Sequence, residues 1–117
     1  MAFDKEALIR RFKVWCFGVL DFVKGLKYSE ENRIFSKQLI RSSSSSYMNY
    51  KAACRAKSMS DMVYKLKIVE EELDESLGWI EMISERNGIS NFQSHIDEGN
   101  ELISIMVTSI KTLKSKL

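Results

Sequence analysis

Proline is absent from this chain, glycine occurs five times in 117 residues, cysteine twice and histidine once. Each scarcity removes a class of chemistry. Cys16 and Cys54 make no metal-ligand spacing with each other or with His95, so the sequence predicts no metal site. Both cysteines fall in helically periodic sequence and read as buried free thiols in a reducing cytosol. No glutamate precedes the histidine by three, so the inward Glu-x-x-His pairs of di-metal bundles are missing. No glycine-rich loop follows a strand to cradle phosphate, and no nucleophile elbow accompanies the serines. Lone His95 reads as a surface or capping residue rather than a base. No catalytic residue, metal or cofactor is expected, and enzyme activity is not. No apolar run approaches the ~18 residues of a membrane span. The opening MAFDKEALIRRF carries early acids instead of a signal-peptide pattern, and a cytoplasmic location is expected. No stretch alternates apolar and polar residues, which argues against a sheet.

What the chain does have is helical periodicity from end to end. Leu8, Phe12, Trp15, Val19, Phe22 and Leu26 step by four and three along a first helix that Asp4 can cap. Gly18, inside it, would cost about 1 kcal/mol in a helix interior and suggests a close crossing. Ser29, followed by two glutamates, opens a second helix expected to reach about Lys57. Ser58 or Ser60 opens a third, with Met62, Leu66, Val69, Leu73, Ser76, Ile80 and Ile83 on one face, and Asn87-Gly88 stops it. Ser90 or Asn91 should cap the last, whose face is Phe92, Ile96, Gly99, Ile103, Met106, Ile110, Leu113 and Leu117. Long helices with short connections predict one domain over residues 1–117, an all-α antiparallel up-down-up-down four-helix bundle.

The second helix contains the run Ser42 to Ser46, which by composition could be a flexible tether. Neither proline nor glycine accompanies it. Phe35, Leu39, Ser42, Ser46, Asn49, Ala53 and Ala56 instead form a continuous helical face, bulky above and small below. The serines therefore read as a tightly packed waist, their hydroxyls bonding back to carbonyls one turn earlier.

The charge is unevenly placed. Residues 1–57 hold 12 Lys/Arg and 5 Asp/Glu, a balance of +7; residues 58–98 hold 3 and 10, or −7; the remainder is +2. On the second helix Lys37, Arg41, Lys51 and Arg55 share an outward stripe with Ser44 and Met48. Arg10, Arg11 and Lys13 on the first helix can join it, with Tyr47 and Tyr50 interleaved as stacking groups. Arg10, Arg11, Lys37, Arg41, Lys51 and Arg55 are the candidate nucleic-acid-binding residues, making sequence-blind phosphate contacts. The opposing expectation is that the acids of the third helix, Glu70, Glu71, Glu72, Asp74 and Glu75, cover the stripe within the subunit or from a neighbour. Met48, Ile68 and Met82 should face outward, and such apolar residues predict a homo-oligomer.

The segments QLIRSSSSSYMNYKAACRAKS and MVYKLKIVEEELDESLGWIEMI carry a resemblance as well. Gln38-Leu39, Arg41-Ser42, Ser45, Asn49-Tyr50, Ala53-Cys54-Arg55-Ala56 and Ser58 match its pattern. So do Lys65-Leu66, Ile68-Val69, Glu70 to Glu72, Asp74-Glu75-Ser76 and Trp79, with Val14-Trp15 upstream. The chain resembles the bacterial four-helix bundles of the 23S rRNA intervening-sequence protein family. The resemblance implies an up-down bundle assembled as a homopentamer. Some family members are encoded inside insertions in ribosomal RNA genes, and a related branch serves reverse transcriptases by binding nucleic acid through a basic surface. Many members have Ile then Pro or Gly where this chain has Ser46 and Tyr47, and an acid near Ala52; a smoother second helix should follow here. The expected function is therefore a non-enzymatic oligomer that binds RNA or a ribonucleoprotein. The alternative is a protein–protein adaptor with no nucleic-acid role and no small-molecule substrate.

Overall fold

A computed structural model describes residues 4–117; residues 1–3, the start of the expected domain, lie outside the described residues. Four helices account for nearly all of it: α1 (Lys5–Lys24), α2 (Glu30–Cys54), α3 (Met59–Asn87) and α4 (Gln93–Lys114). No strand occurs among the described residues. At about 1.5 Å per residue α3 runs roughly 43 Å, which nearly spans the 47 Å long axis of the molecule.

Local chemistry sets the helix ends. The Asp4 carboxylate accepts from the Glu6 amide, the Ser29 hydroxyl from Asn32 and the Ser58 hydroxyl from Asp61. Each satisfies a backbone donor that the first turn would leave unpaired. Gly88 closes α3 with φ of 64°, the left-handed conformation that a side chain resists. The Ile89 amide then reaches back to the Ser84 carbonyl at 2.8 Å.

Two ends differ from expectation. α2 stops at Cys54, not near Lys57, because Ser58 must be extended to cap α3 and the chain needs the intervening residues to turn. α4 has Phe92 at its cap position and no side-chain cap bond, so neither Ser90 nor Asn91 does that work. Packing replaces it: Ile89 and Phe92 lie against the core, and the Phe92 ring sits 4.3 Å from that of Phe22.

α1 packs on α2 and α4, α3 packs on α2 and α4, and the diagonal pairs do not approach, an arrangement consistent with a helix bundle. The predicted faces of α1 and α3 are buried apart from Leu26 and Met62, which are half-buried. On α4 the buried stripe is wider and turned toward Leu102, Ile105 and Ser109, while Leu117 lies past the helix and is exposed.

The serine run is the interior of α2. Ser42, Ser43 and Ser46 are buried. Ser42 Oγ donates to the Leu39 carbonyl and lies 2.7 Å from Ser76 Oγ on α3. The hydroxyls of Ser43, Ser44 and Ser46 bond to carbonyls three or four residues back, and Ser45 accepts from Asn49. Hydroxyls that satisfy themselves along the helix leave a narrow face, so α2 and α3 can lie close, and theirs is the most extensive contact in the molecule.

Candidate nucleic-acid interface

The structure divides the six expected contact residues into two groups. Arg11 and Arg41 already have partners. Arg11 forks onto Glu98 with nitrogen–oxygen distances of 2.8 and 2.9 Å and lies 3.3 Å from Glu101, tying α1 to α4. Arg41 reaches Glu72 at 3.1 Å and also Glu75, tying α2 to α3. Its guanidinium holds the Glu75 carboxyl below the usual range, helped by the Trp79 indole N–H that donates to the same oxygen. Within the subunit, the α3 acids thus claim the stripe at this position. Arg10, Lys37, Lys51 and Arg55 are exposed, and none lies within ion-pair distance of a described carboxylate.

The two tyrosines also part ways. Tyr50 is fully buried and stacks on Phe12 at 4.9 Å, so it cannot meet a base. Burial pushes its phenol pKa up, and its hydroxyl has no hydrogen-bond partner among the described residues. Periodicity placed Tyr50 beside the apolar face, and a globular helix buries a stripe wider than a single heptad line. Tyr47 is half-buried, with Lys13 Nζ 5.9 Å and Lys51 Nζ 5.4 Å from its ring centre. Two ammonium groups from different helices therefore share one ring, each attracted to its electron-rich face.

Exposed apolar residues adjoin this cluster. Phe17 is 57% exposed and, with Leu20, Val23 and Ile40, lines an open depression of about 570 Å³ between α1 and α2. Val14, Met48 and Met82 are exposed too, as expected for the two methionines, whereas Ile68 is half-buried.

His95 is neither a surface residue nor a cap. Its ring is stacked on Trp15, 5.1 Å between centres, and its Nε2 lies 2.7 Å from the Trp15 carbonyl, so that nitrogen carries a proton and donates. The Trp15 indole N–H returns a bond to the His95 carbonyl at 2.9 Å. Burial lowers the pKa of the imidazole, partly opposed by the bond to Trp15 and by nearby Glu98. The sequence signal for this lock was Gly18, where a Cβ would stand 2.2 Å from the His95 ring. Cys16 is likewise internal: its thiol donates to the Ser43 carbonyl at 3.1 Å, and burial raises its pKa to about 11. Both cysteines are free. Among the described residues no group of three His, Cys, Asp or Glu side chains is placed to hold a metal, and no helix is long and apolar enough to cross a membrane.

Comparison with known proteins places the fold. No family model matches the chain, and no curated protein does. The chain superposes with a TM-score of 0.81 on the crystal structure of a protein of unknown function from the S23 ribosomal protein family of Bacteroides thetaiotaomicron. The two are 23% identical, and the match covers 92% of this chain and 97% of that one. The likeness is one of fold: this is a four-helix all-α protein built like an S23 ribosomal protein family member, in accord with the resemblance carried by its second and third helices.

Proposed function

We propose that this protein is a non-enzymatic, oligomeric helix bundle of the cytoplasm that binds RNA or a ribonucleoprotein through the outer faces of α1 and α2. The observation that carries the reading is the set Arg10, Lys37, Lys51 and Arg55: four exposed cations spread over α1 and α2, none paired with a described carboxylate. The cations neutralised across helix–helix contacts are Arg11, Arg41 and Arg86. Phosphates are the natural counter-charge for an unpaired basic surface. Side-chain pairings support alternation of helix direction, up-down-up-down. Phe12 meets Tyr50 and Cys16 meets Ser43; Asn32 meets Asn87 and Ser42 meets Ser76; Trp15 meets His95 and Phe22 meets Phe92. In each series one number rises as the other falls. Assembly as a homopentamer follows from the family resemblance, and the exposed Val14, Met48 and Met82 give it apolar surface to use. A ring would repeat the basic face and multiply weak contacts.

The test is a filter-binding titration against an RNA with paired and unpaired stretches. Four phosphate contacts per subunit predict a slope of log affinity on log salt of about −3 to −4, and a steep loss between about 50 and 200 mM salt. Changing Lys51 and Arg55 together to Glu should abolish binding and leave helix content and oligomer mass intact. Arg41 is unsuited to the test, since Arg41→Glu would set a third carboxylate against Glu72 and Glu75. No binding by the wild-type protein at low salt would overturn the RNA reading in favour of a protein–protein adaptor.

A further inference from the structure

The α1–α2 groove brings together features that a simple basic stripe would lack, and they say which form of RNA it suits. Lys13 from α1 and Lys51 from α2, both exposed residues, converge on the Tyr47 ring, whose face lies within reach of both ammonium groups. With cations beside its face, Tyr47 positions charge and is not itself a platform for a base. One helical turn beyond Lys13, about 6 Å along the axis, Phe17 presents an open ring in the depression it shares with Leu20 and Ile40. Arg55, exposed one turn past Lys51 on α2, extends the positive charge at the Lys13–Lys51 end. Lys24 and Lys37, both exposed, supply it at the other. Asp21 also lines the depression, so the floor favours an uncharged, flat group while the two ends favour phosphates.

We propose that this groove binds single-stranded RNA, with Lys13 and Lys51 on the backbone phosphates and Phe17 stacked against one unpaired base. The proposal rests on the RNA-binding reading above and narrows it. A duplex keeps its bases in the stack and offers Phe17 nothing, whereas every unpaired base has a face to offer a ring. Tyr47 acts through the two lysines as a positioning residue.

The experiment is fluorescence anisotropy with a short mixed-sequence RNA strand, free and annealed to its complement, at several salt concentrations, with oligomer mass followed by light scattering. The strand should bind more tightly than the duplex. Phe17→Ala should weaken strand binding about five- to a hundred-fold, with salt slope and oligomer mass unchanged. Changing Lys13 and Lys51 together to Gln should reduce the slope by about 1.4, the share of two single-strand phosphates. Tyr47→Leu should lower the slope in the same direction, and Tyr47→Phe should restore it. Equal affinity for strand and duplex, or a Phe17→Ala protein that binds as before, overturns the proposal and leaves the RNA reading standing. A change of oligomer mass in Phe17→Ala also overturns it, by assigning Phe17 to a subunit contact. No wild-type binding to either RNA removes both.

Discussion

Replacing Gly18 by alanine puts a methyl group where His95 already stands. The new Cβ would lie 2.2 Å from His95 Cε1, 2.8 Å from Nδ1 and 2.9 Å from Nε2. Carbon atoms settle at about 3.5–4.0 Å, so the ring must retreat by more than an ångström. It is poorly placed to do so, because it is stacked on Trp15 and packed at a tilt against Phe92, 4.6 Å away. Retreat also breaks the bond from Nε2 to the Trp15 carbonyl. Overpacking of this kind costs about 1–3 kcal/mol and the lost hydrogen bond about 1 kcal/mol. Alanine recovers up to about 1 kcal/mol from its better helix preference. The expected net loss is about 1–3 kcal/mol, and at about 4 °C per kcal/mol for a chain of this length the Tm should fall by about 4–12 °C. Urea and thermal unfolding followed by circular dichroism measure both. The decisive arm is the same change in a His95→Ala background. With the ring gone there is nothing to strike, and Gly18→Ala should then stabilise by up to about 1 kcal/mol. The reversal of sign corresponds to a coupling of about 2 kcal/mol or more, far above the few tenths expected of independent sites. Gly18→Ala raising the Tm of the wild-type protein, or the two changes adding simply, would refute the lock between α1 and α4.

Ser42→Ala should cost about 1 kcal/mol, and adding Ser76→Ala should cost clearly less than Ser76→Ala does alone, since the hydroxyls serve each other across the waist; additive losses in urea melts would show that they do not. Tyr50→Phe removes a buried hydroxyl with no partner among the described residues, so stability should stay within about 1 kcal/mol or rise, and a loss above about 2 kcal/mol would reveal a partner. His95 has a pKa below its usual ~6.5, so the unfolded chain takes up a proton first. The stability it contributes is complete above that usual value and is lost as pH falls through the lower folded value. The urea midpoint should therefore drop from pH 7 to pH 5 more in the wild-type protein than in His95→Gln, and equal drops would contradict this. Changing Glu72 and Glu75 together to Gln releases Arg41, and should raise RNA affinity and steepen the salt slope by about 0.7–0.9; an unchanged slope would place Arg41 away from the bound strand.

Helix count, order and the placement of the serine run were legible because they depend on spacing alone. A step of four and three picks out a face whatever the partner is, and hydroxyls that bond within their own helix need no partner to be stable there. The cap at Ser58 and the stop at Gly88 were legible for the same local reason. What could not be read is what two elements decide jointly. The end of α2 depends on the extended backbone that capping α3 demands. The start of α4 depends on Phe92 finding Phe22, which displaces the polar caps that the local sequence offered. Tyr50 shows the same limit in the site itself: from its own helix it is a flanking aromatic, and only Phe12 on α1 makes it core.

The fate of the basic stripe is a matter of register. Lys37, Arg41, Lys51 and Arg55 share the outer side of α2, but Arg41 borders α3 and Lys51 borders α1, and α3 concentrates its acids between Glu70 and Glu75. With Asn32 set against Asn87 and Ser42 against Ser76, those acids lie level with Arg41. The stretch of α3 level with Lys51 and Arg55 runs near Val63 to Lys67, where there is no carboxylate to give. The paired state of Arg41 and the free state of Lys51 and Arg55 thus follow how α2 and α3 are aligned, with Ser42 and Ser76 bonded at the waist of that alignment. The exposed pairs themselves contribute little energy, so the buried packing of α2 on α3 holds the charges in place. A surface whose paired and unpaired positions are set by the packing beneath it can remain basic while α3 is strongly acidic, which is how one small chain keeps a near-neutral total with its charge unevenly placed.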